Sequence, residues 1–224
     1  MDKNLFQQQA RQSGVSLGSA QLDQFALYHK ELVSWNTKIN LVSAQSAHDI
    51  PGRHFLDSLS VARFLDRPDA RLLDIGAGAG FPGLPLKIAL PALEVHLLEG
   101  NRKKVSFLKH IIRELNLAGT QVIHERAQKA ARDKRRQEYY DFVVSRAAFN
   151  LLDFALLSVP FLALKGKFIA QKGADVESEF IHCVKNATVA EVYELFQYDV
   201  NLYPQAHCGK IIVGKKLKKD KKIF

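Results

Sequence analysis

Leu72-Leu73-Asp74-Ile75-Gly76-Ala77-Gly78-Ala79-Gly80-Phe81-Pro82-Gly83 decides how the rest of this 224-residue chain is read. A short apolar run carrying Asp74 passes into glycines at alternate positions, then into PGLPLKIAL, a helix-like segment. Proline suits the first turn of a helix, where a missing N–H costs little. Glycine lets a backbone take positive φ and pass close to a ligand. In an open α/β sheet, ligands sit outside the carboxyl ends of the strands, where such a turn lies. A turn needed only for packing would require one glycine; three, with a strand-terminal acid, mark a ligand loop.

Working outward, short apolar runs alternate with amphipathic segments. LEVHLLEG, TQVIHER, YDFVVSRA and GKFIAQKG read as strands, and NRKKVSFLKHIIRELNL, AQKAARDKRRQE, LLDFALLSVPFLAL and DVESEFIHCVKNA read as helices between them. That alternation predicts βαβ units and a parallel sheet buried on both faces. VAEVYELFQYDV and KIIVGKK read as two directly connected strands, hence an antiparallel edge. Upstream, AQLDQFALYHKELVSW and HFLDSLSVARFL have helical spacing, and RPDA at 67–70 is a turn signal. The expected class is α/β: a doubly wound, mostly parallel sheet with an antiparallel edge strand and an N-terminal helical extension. The expected division is 1–68 for the extension, 69–214 for the ligand-binding domain and 215–224 for a Lys-rich tail.

Composition narrows the class. Apolar residues make up 47% and charged residues 25% of the chain, ordinary for a globular protein able to bury a core without staples. The longest apolar stretch, Phe154 to Leu164, is broken by Ser158 and Pro160 and is too short to span a bilayer. The first residues, MDKNLFQQQARQSG, lack the apolar segment of a signal peptide. Cys183 and Cys208 form neither a disulfide framework nor a CxxC site, and the eight histidines show no ligand spacing. A cytoplasmic, metal-free monomer is expected.

Lys plus Arg number 32 against 23 acids, a net charge of +9. The last fifteen residues hold seven Lys against one Asp, and Arg126 to Arg136 holds Arg126, Lys129, Arg132, Lys134, Arg135 and Arg136 against Asp133 alone. Two basic clusters suggest a polyanionic partner such as RNA, since each cation that neutralises a phosphate releases counterions. Arg126, Arg132, Arg135, Arg136, Lys215 and Lys216 are the candidate RNA contacts. The plain alternative is a solvated face and tail.

Two registers compete for the loop. Gly78 to Gly83 is a literal GxGxxG, with Glu99 at the end of the next strand, as in dinucleotide-binding folds. The register Asp74-Ile75-Gly76-Ala77-Gly78 begins earlier, at the strand end, and resembles the first motif of class I S-adenosylmethionine (SAM)-dependent methyltransferases. In either case a strand-terminal carboxylate suits a ribose diol, because charge assistance strengthens both O–H bonds. SAM is the preferred cofactor, bound by Asp74, Gly76, Gly78, Glu99 and Gly100. A dehydrogenase would need a second mononucleotide-binding half, which the sequence does not offer clearly.

WNTKINL (35–41), RHFLDSL (53–59), DIGAGAGFPGLPL (74–86), EGNRKKVSFL (99–108), HER before Ala127-Gln128, SRA (145–147) and QKG (171–173) occur in that order. Together they resemble the RsmG family, also called glucose-inhibited division protein B: bacterial 16S ribosomal RNA guanine-N7 methyltransferases. The resemblance covers roughly residues 20–215. It implies that Gly76 and Phe81 lie at SAM-binding positions, that Ala127 and Gln128 meet the adenine end, and that Arg146 faces the site. Two departures stand out: Glu99-Gly100-Asn101 where the family usually has Asp-Ser-Leu, and Gln128 where it often has Glu. The implied substrate is a guanine in the decoding region of the small subunit, presented by 16S rRNA or the 30S particle.

Guanine N7 carries an in-plane lone pair and no proton, so no general base is expected. Consistent with this, Ser145-Arg146-Ala147 stands where amino-methylating enzymes carry an Asn/Asp-Pro-Pro-aromatic string, and no Pro-Cys nucleophile appears. Arg146 is the best positioning candidate. Its guanidinium could grip a SAM carboxylate, an RNA phosphate or guanine O6, or simply pair with Asp74 or Glu99. Arg53 and Asp57 could form a local i,i+4 pair, and Trp35 reads as a core plug of the helical extension. Two other readings remain at this stage: an RNA-binding protein retaining SAM structurally, and a SAM methyltransferase with a non-RNA substrate.

Overall fold

The computed structural model describes residues 1–201 and 208–218. At its centre β1 (Arg71–Ile75) is buried from Leu72 onward, Asp74 included. A strand covered on both faces has no exposed side to fill with polar residues, hence the apolar run. Around it lie β2 (Glu94–Glu99), β3 (Thr120–His124), β4 (Tyr140–Arg146), β5 (Leu162–Gly173), β6 (Tyr193–Asn201) and β7 (Cys208–Lys216), in the order β3-β2-β1-β4-β5-β7-β6. The pairings of β1 with β2 and β4, of β2 with β3 and of β4 with β5 are parallel. β7 runs against both of its neighbours, so the antiparallel pairings fall at the expected edge, with β6 outermost.

Alternate residues of each strand feed two cores. Leu72, Val95, Leu97, Phe142, Val144 and Ile169 pack on one face with α1 (Lys3–Gln12), α2 (Ser19–Asn36) and the helices Gly83–Ala89 and Arg102–Glu114. Leu73, Ile75, Leu98, Val143, Phe168 and Ala170 pack on the other with the helices Leu151–Ser158 and Glu177–Lys185. The N-terminal helices share the first core: Phe6, Phe25, Tyr28 and Phe55 form a ring cluster that reaches Phe81. Trp35 packs against Phe107 and His110, as a core plug would.

Three segments differ from the sequence expectation. The helix expected through Leu164 ends at Ser158, because Pro160 cannot continue it, and β5 begins at Leu162. The basic segment after Ala127 is helical only to Ala130; Asp133 then accepts the Arg135 N–H and opens a separate 3₁₀ turn, Lys134–Arg136. The stretch VAEV belongs to a helix, Ala187–Val192, capped by Asn186, whose side chain accepts the Val189 N–H. The boundary expected after residue 214 falls inside β7. Lys219, Lys221 and Lys222 lie outside the described residues.

Candidate active site

The loop after β1 takes its shape from glycine. Gly76, Gly78 and Gly80 have φ of +74°, +59° and +97°, a region costly for any residue with a Cβ. A Cβ on Gly76 would come within 2.9 Å of the Ala148 side chain, and one on Gly80 within 2.4 Å of Leu84. Within this loop Gly76 and Gly78 are half-exposed, whereas Ala77, Ala79 and Gly80 are buried. Tyr28 of α2 donates its hydroxyl hydrogen to the Ala79 carbonyl and stacks on Phe81, so the N-terminal extension clamps the loop from behind.

Glu99 closes it from the side. Its two carboxylate oxygens accept the Gly78 N–H at 2.9 Å and the Asn101 N–H at 2.7 Å. Each oxygen keeps a further lone pair. Asp74 is different: it has no exposed surface, its Oδ2 accepts the Gly83 N–H at 2.8 Å, and its Oδ1 is unpaired among the described residues. Burial pushes its carboxyl up to about 7. Asp74 therefore shapes the loop from beneath, and the sequence expectation of a ligand-facing carboxylate does not describe its position. The Phe81 ring is likewise buried, stacked on Tyr28 and His54.

Arg146 ends β4 and leans over the Phe81 ring, 4.7 Å from its centroid. Its Nη1 donates to the Arg53 carbonyl and to Asp57 Oδ2, each at 3.2 Å, and its Nη2 donates to His54 Nδ1 at 2.8 Å. The acid paired with it is thus Asp57, not Asp74 or Glu99, the two acids that the ion-pair alternative named. A π-helical turn, Pro51–Leu56, brings Arg53 and His54 there; such widened turns favour functional sites. His54 lies flat on Phe81, 5.0 Å between centroids. Burial, then Arg146 and Arg53, lower its pKa to about 3, so the ring is neutral. Ser145 Oγ donates to the Ile75 carbonyl, fixing the end of β4 beside the loop. Beyond Arg146 a cleft of about 780 Å³ opens, lined among others by Arg53, His54, Ala147, Gln171 and Lys210.

This arrangement places the glycine loop, Glu99 and Gly100, and Ala127 and Gln128 at the carboxyl ends of β1, β2 and β3. Residues 21–204 match the protein family described as rRNA small subunit methyltransferase G, GidB. The chain belongs to that family. Ribosomal RNA small subunit methyltransferase G of Syntrophus aciditrophicus is 46% identical over 176 residues, 78% of this chain and 73% of the relative. The enzyme of the same name from Alkaliphilus oremlandii is 36% identical over 220 residues, 96% and 91% of the two chains. Among solved structures, a precorrin-6y C5,15-methyltransferase from Geobacter metallireducens shares the fold: TM-score 0.56, 14% identity, 80% of this chain and 92% of the other.

The remaining expected residues divide. Ala127 is buried at the start of a one-turn helix, while Gly100, Gln128, Arg126, Arg132 and Arg135 are exposed. Arg135 and Arg136 both pair with Asp133, which holds its carboxyl down at about 2 through its bonds to Arg135. Lys215 is half-buried in β7. Lys216 is a correction to the RNA-contact expectation: it has no exposed surface, and its Nζ donates to the Val159 and Leu162 carbonyls at 2.9 and 3.0 Å. A lysine whose Nζ is buried on main-chain carbonyls cannot reach a phosphate. Exposed Arg102 and Lys103, beside Glu99 at the start of the next helix, were not singled out by the sequence reading. Among the described residues no group of three or more His, Cys, Asp or Glu could hold a metal ion, and no helix is long and apolar enough to cross a membrane.

Proposed function

We propose that this protein transfers the methyl group of SAM to N7 of a guanine in small-subunit ribosomal RNA. The observation that carries the reading is the left-handed glycine loop, locked to Glu99 at the carboxyl edge of the sheet, in a chain of an rRNA methyltransferase family. The residues fit the cofactor. Gly78 has nothing but the Gly76 carbonyl, at 3.8 Å, near a would-be Cβ, leaving room against the backbone. Glu99 keeps lone pairs for a ribose diol; half-exposed Gly76 and exposed Gly100 and Gln128 lie at the same carboxyl edge of the sheet, with Ala127 buried at the start of its helix. When bound, SAM supplies an electrophilic methyl on a sulfonium.

The protein's own task is placement. The glycine loop and Glu99 would hold SAM so that its methyl group passes to the N7 lone pair and the S–C electron pair stays on its own sulfur. No proton leaves the base, so no general base is required, and alignment with electrostatics carries the rate. Arg146 stands between loop and cleft, held by Asp57 and His54, and positions the reacting partners. The N-terminal helices, residues 1–68, serve the domain from 69 onward by clamping the loop and forming one wall of the cleft. Arg126, Arg132, Arg135, Lys215 and the Lys-rich tail supply phosphate contacts, joined by Arg102 and Lys103.

Small-subunit rRNA from cells lacking the protein, naked and assembled into 30S particles, is incubated with methyl-labelled SAM. Label is expected in one guanine, and RNA transcribed with 7-deazaguanosine should take none. Label on protein, or undiminished label in the deaza RNA, overturns the reading.

A further inference from the structure

Beyond Arg146 the end of β4 continues into a short strap, residues 147–149, that lies against the glycine loop. A Cβ on Gly76 would meet the Ala148 side chain at 2.9 Å and the Phe149 ring at 3.6 Å. Packing holds this strap only weakly. Ala147 and Ala148 are exposed and Phe149 is half-buried, and a segment with few buried apolar contacts opens easily. Ala147 has φ of +53°, a region costly for a residue with a Cβ. Its N–H reaches the Gln171 carbonyl only at 3.3 Å. Stronger bonds come from the cleft wall. Lys172 Nζ donates to the Phe149 carbonyl at 2.9 Å and pairs with Glu179 Oε2 at 2.7 Å. The same Glu179 oxygen accepts the Leu151 N–H at 2.8 Å. One lysine of β5 and one glutamate of the helix Glu177–Lys185 thus grip the chain on both sides of Asn150.

Lys172 is the centre of the Gln171-Lys172-Gly173 stretch, and a cleft-wall lysine in an rRNA methyltransferase family invites a phosphate role. Its surroundings point elsewhere: the side chain is 11% exposed, and its ammonium is engaged by a carbonyl and a carboxylate. We infer that Lys172 and Glu179 are positioning residues, a latch that sets the strap 147–149 against Gly76 and so fixes one wall of the cofactor loop. This rests on the proposed SAM reading and adds to it the groups that hold the loop's neighbour in place. Released from the latch, Ala147 relaxes out of its left-handed conformation and carries Ala148 away from Gly76. The binding-competent arrangement is then a smaller fraction of the molecules, and apparent cofactor affinity falls by that fraction.

The latch is read first in the ligand-free protein, by amide hydrogen exchange across residues 147–151. Lys172→Met and Glu179→Gln should each speed that exchange roughly tenfold, one hydrogen bond's worth. Gln keeps an acceptor for the Leu151 N–H, so what Glu179→Gln removes is the ion pair. Calorimetry with S-adenosylhomocysteine should then show affinity lower by about three- to tenfold in each variant. The double variant should be little worse than either single one, because both break the same contact. Removing a positive and a negative group would thus have the same effect, which no direct charge contact with the cofactor gives. Wild-type protein that binds no S-adenosylhomocysteine overturns the cofactor reading itself, and the exchange result stands apart from it. Unchanged exchange in either variant overturns the latch. Faster exchange with unchanged cofactor affinity overturns the positioning role. So does a Lys172→Met variant that keeps its cofactor affinity but whose RNA binding, plotted as log affinity against log salt, becomes shallower by about 0.7–0.9, the mark of one lost phosphate contact.

Discussion

The glycine loop and the arginine cleft meet at Phe81, but they are built by opposite means. The loop is a backbone object: three left-handed glycines, two carboxylates bonded to main-chain N–H groups, and a tyrosine on a carbonyl. Nearly all of it comes from residues 74–83 and 99–101. The cleft is a side-chain object, assembled from residues near 54, 146, 171 and 210 on separate elements. Backbone sites bind a constant cofactor by shape. Side-chain sites carry the donors, acceptors and charges that tell one substrate from another. The division of labour implies that damage to one region should be separable from damage to the other.

Arg146→Ala gives the largest effect and the hardest test of that separation. Removing the group that joins the regions should cost roughly 10²–10³-fold in methyl transfer, the penalty for misplaced reactants. It also removes one hydrogen-bond partner each from Asp57 and His54, so stability should fall by about 1–3 kcal/mol. Calorimetry should nevertheless find SAM affinity nearly intact. If Arg146→Ala abolishes SAM binding, loop and cleft are one site and the comparison collapses.

Glu99→Ala strikes the loop alone. It removes the acceptor of the Gly78 and Asn101 N–H groups together with the proposed ribose contact, and should weaken SAM by about 1.5–3 kcal/mol, as for bonds to a charged group. Affinity for RNA, measured with S-adenosylhomocysteine saturating, should not move. A loss of RNA affinity equal to that of SAM would show the loop shaping the cleft.

The same contrast explains what could be read in the sequence. Asp74 to Gly83 and Glu99 were legible because backbone chemistry is local: a glycine needed for positive φ announces itself without its neighbours. The strands of the sheet were legible because burial on both faces forces apolar runs. The contact between Arg146 and Asp57 was not, since it joins residues 89 apart in the chain, the end of β4 and a helical turn of the N-terminal extension, that meet only in the folded structure. Lys216 misled for a related reason. Its neighbours Lys215 and Lys218 suggest a solvated run, whereas the β7 register turns its side chain inward onto Val159 and Leu162. Charge counts cannot distinguish the alternating faces of a strand.

The smallest effect is a pair of opposing pH dependences, one from each region. In the cleft, His54 is held neutral with a pKa of about 3, chiefly by burial, while an unfolded histidine titrates near 6.5. Below about 6.5 the unfolded chain takes a proton that the folded chain refuses, so this group removes stability as pH falls toward 3. In the loop, burial raises Asp74 to about 7, against roughly 3.9 unfolded. Its contribution is complete below about 4 and is lost as pH rises through 7, because the folded chain keeps a proton the unfolded chain has released. Between pH 4 and 6.5 the two oppose each other, each limited to about 1.4 kcal/mol per pH unit for one proton. Urea unfolding at pH 4.5, 5.5, 6.5 and 7.5 separates them by difference. The stability of wild type minus His54→Asn should rise with pH up to about 6.5, and that of wild type minus Asp74→Asn should fall up to about 7. Asn keeps an acceptor for Arg146 in the first variant and for the Gly83 N–H in the second, so packing changes enter as an offset rather than a slope. Slopes of the same sign would mean that one region sets the protonation of the other, and loop and cleft would then have to be treated as a single electrostatic unit.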